Sequence, residues 1–137
     1  MHPQALASRL QGAGIGPTPQ RLRIAEVLLS APRHLSADQV LAAVNREGPL
    51  VSKATVYNTL RTFTACGLLR EVVVDPNRIF YDSSVAPHHH FYNPATGELT
   101  DIPAEAITVS GLPPAPDGTE ADEVEVIVRL RERTATC

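Results

Sequence analysis

The sequence predicts an α+β fold, a helical first half followed by β-structure, on two observations. Up to Gly67 the apolar residues recur at the three-to-four spacing of amphipathic helices, and beyond it they alternate as strands do. The charge divides at nearly the same point. Residues 1–70 carry eight Lys/Arg and three Asp/Glu, whereas residues 71–137 carry four Lys/Arg and twelve Asp/Glu.

The elements follow in order. A weaker helix is expected around Pro3 to Leu10. "TPQRLRIAEVLL" opens with Thr18 as N-cap and Pro19 in the first turn, and Leu22, Ala25, Leu28 and Leu29 fall on one face. "HLSADQVLAAVN" has Ser36 as N-cap and Gln39 three residues on, a capping box, with Ala37, Val40, Leu41 and Val44 as its apolar stripe. A longer helix starts at Ser52, buries Val56, Leu60 and Phe63, and ends at Gly67. "LLREVVV" and "RIFYD" flank the turn "DPN", a hairpin from about Leu69 to Tyr81. Three helices followed by a hairpin make a winged helix-turn-helix, expected over residues 1–84. Residues 85–137 form a small α/β half, with strands at "HHFYN", "ELTDI" and "EVEVIVRLR" and a Pro/Gly loop, "GLPPAPDG", before the last. So short a half has little core of its own. With Val124, Val126, Val128 and Leu130 alternating on one face, it is expected to dimerise.

The overall net charge of −3 speaks weakly against a polyanion partner, but the net of +5 in residues 1–70 confines such a partner to the first half. In a helix-turn-helix the second helix enters the major groove of double-stranded DNA. Here that helix offers Lys53, Thr55, Tyr57, Asn58, Arg61 and Thr62 away from its apolar face. Lys53 and Arg61 suit phosphates, Asn58 an adenine edge, and the Tyr57 ring a thymine methyl. Arg21 and Arg23 on the preceding helix could grip the backbone. A solvated helix face is the plainer use of the same residues.

The pieces "GIGPTPQRLRIAEVLL", "HLSADQVLAAV", "SKATVYNTLRTFTACGLL" and "HHHFYNPATGELTDI" together resemble the ferric uptake regulator superfamily, over about Ala13 to Ile102. The resemblance implies a homodimeric, metal-dependent repressor that binds a double-stranded DNA operator and is not an enzyme. It also implies a metal set of His34, Asp82, His88, His90 and Asp101. Three imidazoles and two carboxylates with no thiolate suit Fe(II) or Mn(II), and Zn(II) can substitute. His88 and His90 alternate along a strand and so share a face, which turns His89 away to solvent or to a supporting role. Aspartate rather than glutamate at position 101 resembles the peroxide-responsive branch, in which bound Fe(II) reacts with peroxide and a ligand histidine is oxidised. Taken singly, each residue has a plainer role: His34 as a surface loop residue, Asp82 as a turn cap, and Asp101 as a cap for the short helix expected after it.

Several positions depart from the family. Cys66 and Cys137 have no CxxC spacing, and "NPAT" stands where the first such pair would fall, so no structural zinc site built from four cysteines is expected. The tail after Ile102 holds no histidine, which leaves the family's additional metal site without a ligand. Gly16 stands where many members carry a basic residue. These departures, with "HHHFY" and "EVEVIVRLR", resemble the iron response regulator branch. The alternative is therefore an iron- or haem-responsive regulator, with haem at the histidine triplet the less favoured because no Cys-Pro motif is present. A metalloenzyme would need open coordination positions and a substrate pocket, and a metal store would not need a basic helix. No apolar run approaches a membrane span and no secretory signal opens the chain, so a cytoplasmic location is expected.

Overall fold

The structure, a computed structural model, describes residues 2–30, 34–86 and 88–134. The chain divides into two compact units, Met1–Val85 and Ala86–Cys137.

In the first unit α1 (Pro3–Gly12), α2 (Pro19–Leu29), α3 (Ala37–Val44) and α4 (Lys53–Ala65) each begin at a side-chain cap. Thr18 accepts from the Arg21 amide at 3.2 Å, and Ser52 from the Thr55 amide at 3.1 Å. Ser36 and Gln39 cap each other, satisfying amides that the first helical turn leaves without partners. Gly67, at φ +80, stops α4 in the left-handed conformation while the Leu68 amide reaches back to the Phe63 carbonyl at 2.9 Å. The helices close over Leu10, Ile24, Leu28, Val40, Val44, Val56, Leu60 and Phe63, all essentially inaccessible. Ile24 belongs to this core although it lies off the stripe expected of α2, and Leu22 and Leu41 only flank it.

The hairpin forms from β2 (Arg70–Asp75) and β3 (Arg78–Asp82), with Asp75 Oδ1 accepting from the Asn77 amide at 2.8 Å in the turn. A further strand, β1 (His34–Ser36), pairs with the other edge of β3, giving the order β1-β3-β2. The plainer reading of His34 taken singly, a surface loop residue, does not hold, since it lies in a strand. Three residues cannot show alternation, and the partner strand comes from far along the chain.

The second unit is a three-stranded sheet of order β5-β4-β6. β4 (His89–Asn93) and β5 (Glu98–Ile102) are antiparallel around a turn in which Asn93 Oδ1 accepts from the Ala95 amide at 3.0 Å. β6 (Ile127–Arg129) runs parallel to β4. The strand expected over Val124 to Leu130 is thus regular only at its centre, though bonds from the His90 amide to the Val126 carbonyl and from the Leu130 amide to the Tyr92 carbonyl extend the pairing. Among the described residues of this unit only Tyr92, Leu99, Ile102, His89 and His90 are buried, a very small core.

Candidate metal centre and nucleic-acid interface

The antiparallel register of β4 and β5 sets His90 directly opposite Asp101. One carboxylate oxygen, Asp101 Oδ1, lies 3.1 Å from His88 Nε2 and 3.2 Å from His90 Nε2. The two rings are 4.4 Å apart, and ligand atoms of the three residues fall within 4.8 Å of one another. His90 is completely buried, whereas Asp101 is exposed. His88 Nδ1 lies 2.7 Å from the Ala86 carbonyl, which can only accept, so Nδ1 carries the proton. In a neutral ring the Nε2 of His88 then presents a lone pair to a carboxylate oxygen. Two like-polarity atoms held at that distance call for a positive centre between them, either a proton or a metal cation.

His34 and Asp82 belong to the first unit, where the β1–β3 register makes them direct cross-strand partners. Asp82 is buried, and its Oδ1 accepts from the Ser84 amide at 2.8 Å, the turn-capping role foreseen as its plainer use. Asp101 makes no such cap, since the short 3-10 turn at Ala104–Ala106 lacks a side-chain cap bond.

On α4 the buried face is Val56, Thr59, Leu60 and Phe63. Lys53, Tyr57 and Arg61 lie one helical turn apart and are exposed together with Asn58, while Thr55 is half-buried and its hydroxyl oxygen accepts from Ser52 at 2.9 Å. The Tyr57 hydroxyl donates to Asp38 Oδ1 at 3.3 Å, and the Lys53 ammonium stands 5.7 Å from the Tyr57 ring centre. Arg21 donates to the Gly16 carbonyl at 2.9 Å. Arg23, which could grip the DNA backbone, donates through Nε to the Val44 carbonyl at 2.9 Å and so fastens α2 to the end of α3.

The sequence profile of the ferric uptake regulator family matches residues 12–113. The chain belongs to that family. It is 34% identical over 99 residues to the peroxide-responsive repressor PerR of Staphylococcus aureus, a match over 72% of this chain and 66% of that protein's length. Among solved structures it resembles the ferric uptake regulator of Pseudomonas aeruginosa with manganese, at 27% identity and a TM-score of 0.67, covering 93% of this chain and 97% of that one. The ferric uptake regulator of Vibrio cholerae shares the fold at 20% identity and a TM-score of 0.69, over 90% of this chain and 96% of that one. Among the described residues no helix is long and apolar enough to cross a membrane.

Two features of this family member were not legible in its motifs. His89 does turn away from its neighbours' shared carboxylate, but not to solvent. It is buried, and its Nδ1 accepts from the Val126 amide at 2.9 Å. Glu125 lies on what the alternation marked as the charged, outward face of the last strand, yet its Oε1 is 3.1 Å from His90 Nδ1. No sequence signal separates Glu125 from Glu123, because the contact depends on where β6 docks.

Proposed function

We propose that the chain is a metal-responsive, dimeric repressor of transcription that binds double-stranded DNA through α4 and senses peroxide at an Fe(II) or Mn(II) site. The observation that carries the reading is the convergence of His88 Nε2, His90 Nε2 and a single Asp101 oxygen. His34 and Asp82 complete the ligand set in this reading, on the strength of family membership and the resemblance of their positions. The donor set is nitrogen and oxygen only, which fits Fe(II) or Mn(II), with Zn(II) as a competitor. Bound Fe(II) would activate peroxide, the two-electron oxidant, so that a ligand imidazole takes one of its oxygens and the other leaves as water.

The chain's own residues then have separable tasks. His88, His90 and Asp101 hold the cation, and binding of ligands from both units biases the protein toward one arrangement of them. Metal and DNA affinities become reciprocally coupled, typically by about 1–3 kcal/mol. Asn58 and Tyr57 read base edges, Lys53, Arg61 and Arg21 meet phosphates, and Thr55 contributes from the first turn of α4. Dimerisation through the second unit is supported by its small core and by the exposed Phe91, Val109, Leu112, Val124 and Leu130.

The test is a DNA-shift titration with and without Mn(II), followed by a peroxide pulse on the Fe(II) protein. The reading expects metal-dependent binding, release by peroxide, and one added oxygen mapped to a ligand histidine. Release with all histidines unmodified would favour the iron- or haem-responsive alternative, and binding indifferent to metal would overturn the reading.

A further inference from the structure

Within the second unit, the last strand addresses the histidine run through side chains as well as backbone. Glu125 Oε1 lies 3.1 Å from His90 Nδ1, with His90 completely buried and the Glu125 side chain 20% exposed. One residue on, the Val126 amide donates to His89 Nδ1 at 2.9 Å, and the His90 amide donates to the Val126 carbonyl at 3.1 Å. Consecutive histidines thus meet consecutive residues of the segment that leads into β6.

The partners differ in kind. A backbone amide can only donate, so His89 Nδ1 must accept and its proton sits on Nε2. A carboxylate can only accept, so His90 Nδ1 donates to Glu125, and with a cation rather than a proton between Nε2 and Asp101 the ring's lone pair sits on Nε2. His88 reaches the same state through the Ala86 carbonyl. The three histidines are therefore sorted by tautomer, His88 and His90 as Nε2 donors toward a cation and His89 as a strand fastener.

We propose that Glu125 is the positioning residue of the metal site, holding the buried His90 ring with Nδ1 against a carboxylate and Nε2 toward the cation. The inference rests on the metal reading of His88, His90 and Asp101. A carboxylate behind a ligand imidazole orients the ring and strengthens its donor atom, and losing one typically weakens metal binding about 10- to 100-fold. It also ties the site to the C-terminal segment: β6 must be docked for His90 to be poised.

Nitrogen-15 NMR of histidine-labelled, full-length protein loaded with Zn(II), which is diamagnetic, should show His88 and His90 protonated on Nδ1 and His89 on Nε2. In Glu125→Ala the His90 Nδ1–H signal should shift and exchange faster with water, its acceptor gone, while His88 stays as it was. Mn(II) affinity, read from the electron paramagnetic resonance of free Mn(II), should fall about 10- to 100-fold in Glu125→Ala. It should fall less in Glu125→Gln, whose amide oxygen accepts but carries no charge. His90 protonated on Nε2 in the unsubstituted Zn(II)-loaded protein, or Glu125→Ala binding Mn(II) undiminished while Asp101→Ala loses it, would overturn the role of Glu125. Undiminished binding in Asp101→Ala would instead overturn the metal reading on which it rests.

Discussion

Asn45 ends α3 and sets the approach to α4, and its replacement by alanine should unfold the first unit at markedly lower denaturant. Its Oδ1 accepts from the Leu50 amide at 2.9 Å and the Val51 amide at 2.8 Å, while Nδ2 donates to the Val51 carbonyl at 2.7 Å. The Leu50 amide keeps a second partner, the Gly48 carbonyl at 2.9 Å, but Val51 is 6% exposed and its two groups would be left without one. A net hydrogen bond contributes about 1 kcal/mol and a stranded buried group costs about 1–3 kcal/mol, which puts Asn45→Ala at roughly 3 kcal/mol. Asn45→Asp keeps the double acceptor but sets a carboxylate oxygen against the Val51 carbonyl in place of a donor, so it too should destabilise the unit, and less so at low pH where the carboxyl can donate. All four described α-helices lie in the first unit, so urea unfolding followed by helical circular dichroism reports this unit. A cost below about 1 kcal/mol for alanine would refute the assignment of Asn45 as the clamp before α4.

Lys53→Ala should weaken binding to all DNA sequences alike and lower the slope of log K against log salt by about 1, whereas Asn58→Ala should cost about 1–3 kcal/mol only on the preferred operator. Asp101→Ala should abolish the Mn(II) dependence of DNA binding; a retained dependence in a shift assay would count against the metal centre. His89→Ala should cost about 1–3 kcal/mol by stranding the Val126 amide, with faster hydrogen exchange in β6, and an unaltered exchange pattern would count against the fastening role. Tyr81 has its hydroxyl pKa raised above 10.0, first by burial and then by the Glu71 charge. The native state therefore keeps that proton more tightly than the unfolded chain. Its contribution to stability is complete below 10.0 and is lost as pH rises through the folded value, so Tyr81→Phe should flatten the alkaline fall in stability.

What the sequence determined by itself is what local chemistry decides. The caps at Thr18, Ser36 and Ser52, the stop at Gly67 and the turns at Asp75 and Asn93 each involve partners within a few residues, so composition and spacing suffice to place α2, α3, α4 and both hairpins. The alternation of His88 and His90 likewise put both on one side of a strand. Tertiary structure alone decided which strands meet. It made His34 a strand residue opposite Asp82, set Asp101 across from His90, and limited the regular part of the last strand to Ile127–Arg129. It also turned Glu125 inward from a face expected to meet solvent, and it chose for His89 the supporting role over solvent. The physical reason is that strand pairing joins residues tens of positions apart, where register is chosen by the combined packing of both partners. A side chain's periodicity tells which face of its own strand it occupies. Only the docking of the neighbouring strand tells whether that face meets water or a histidine.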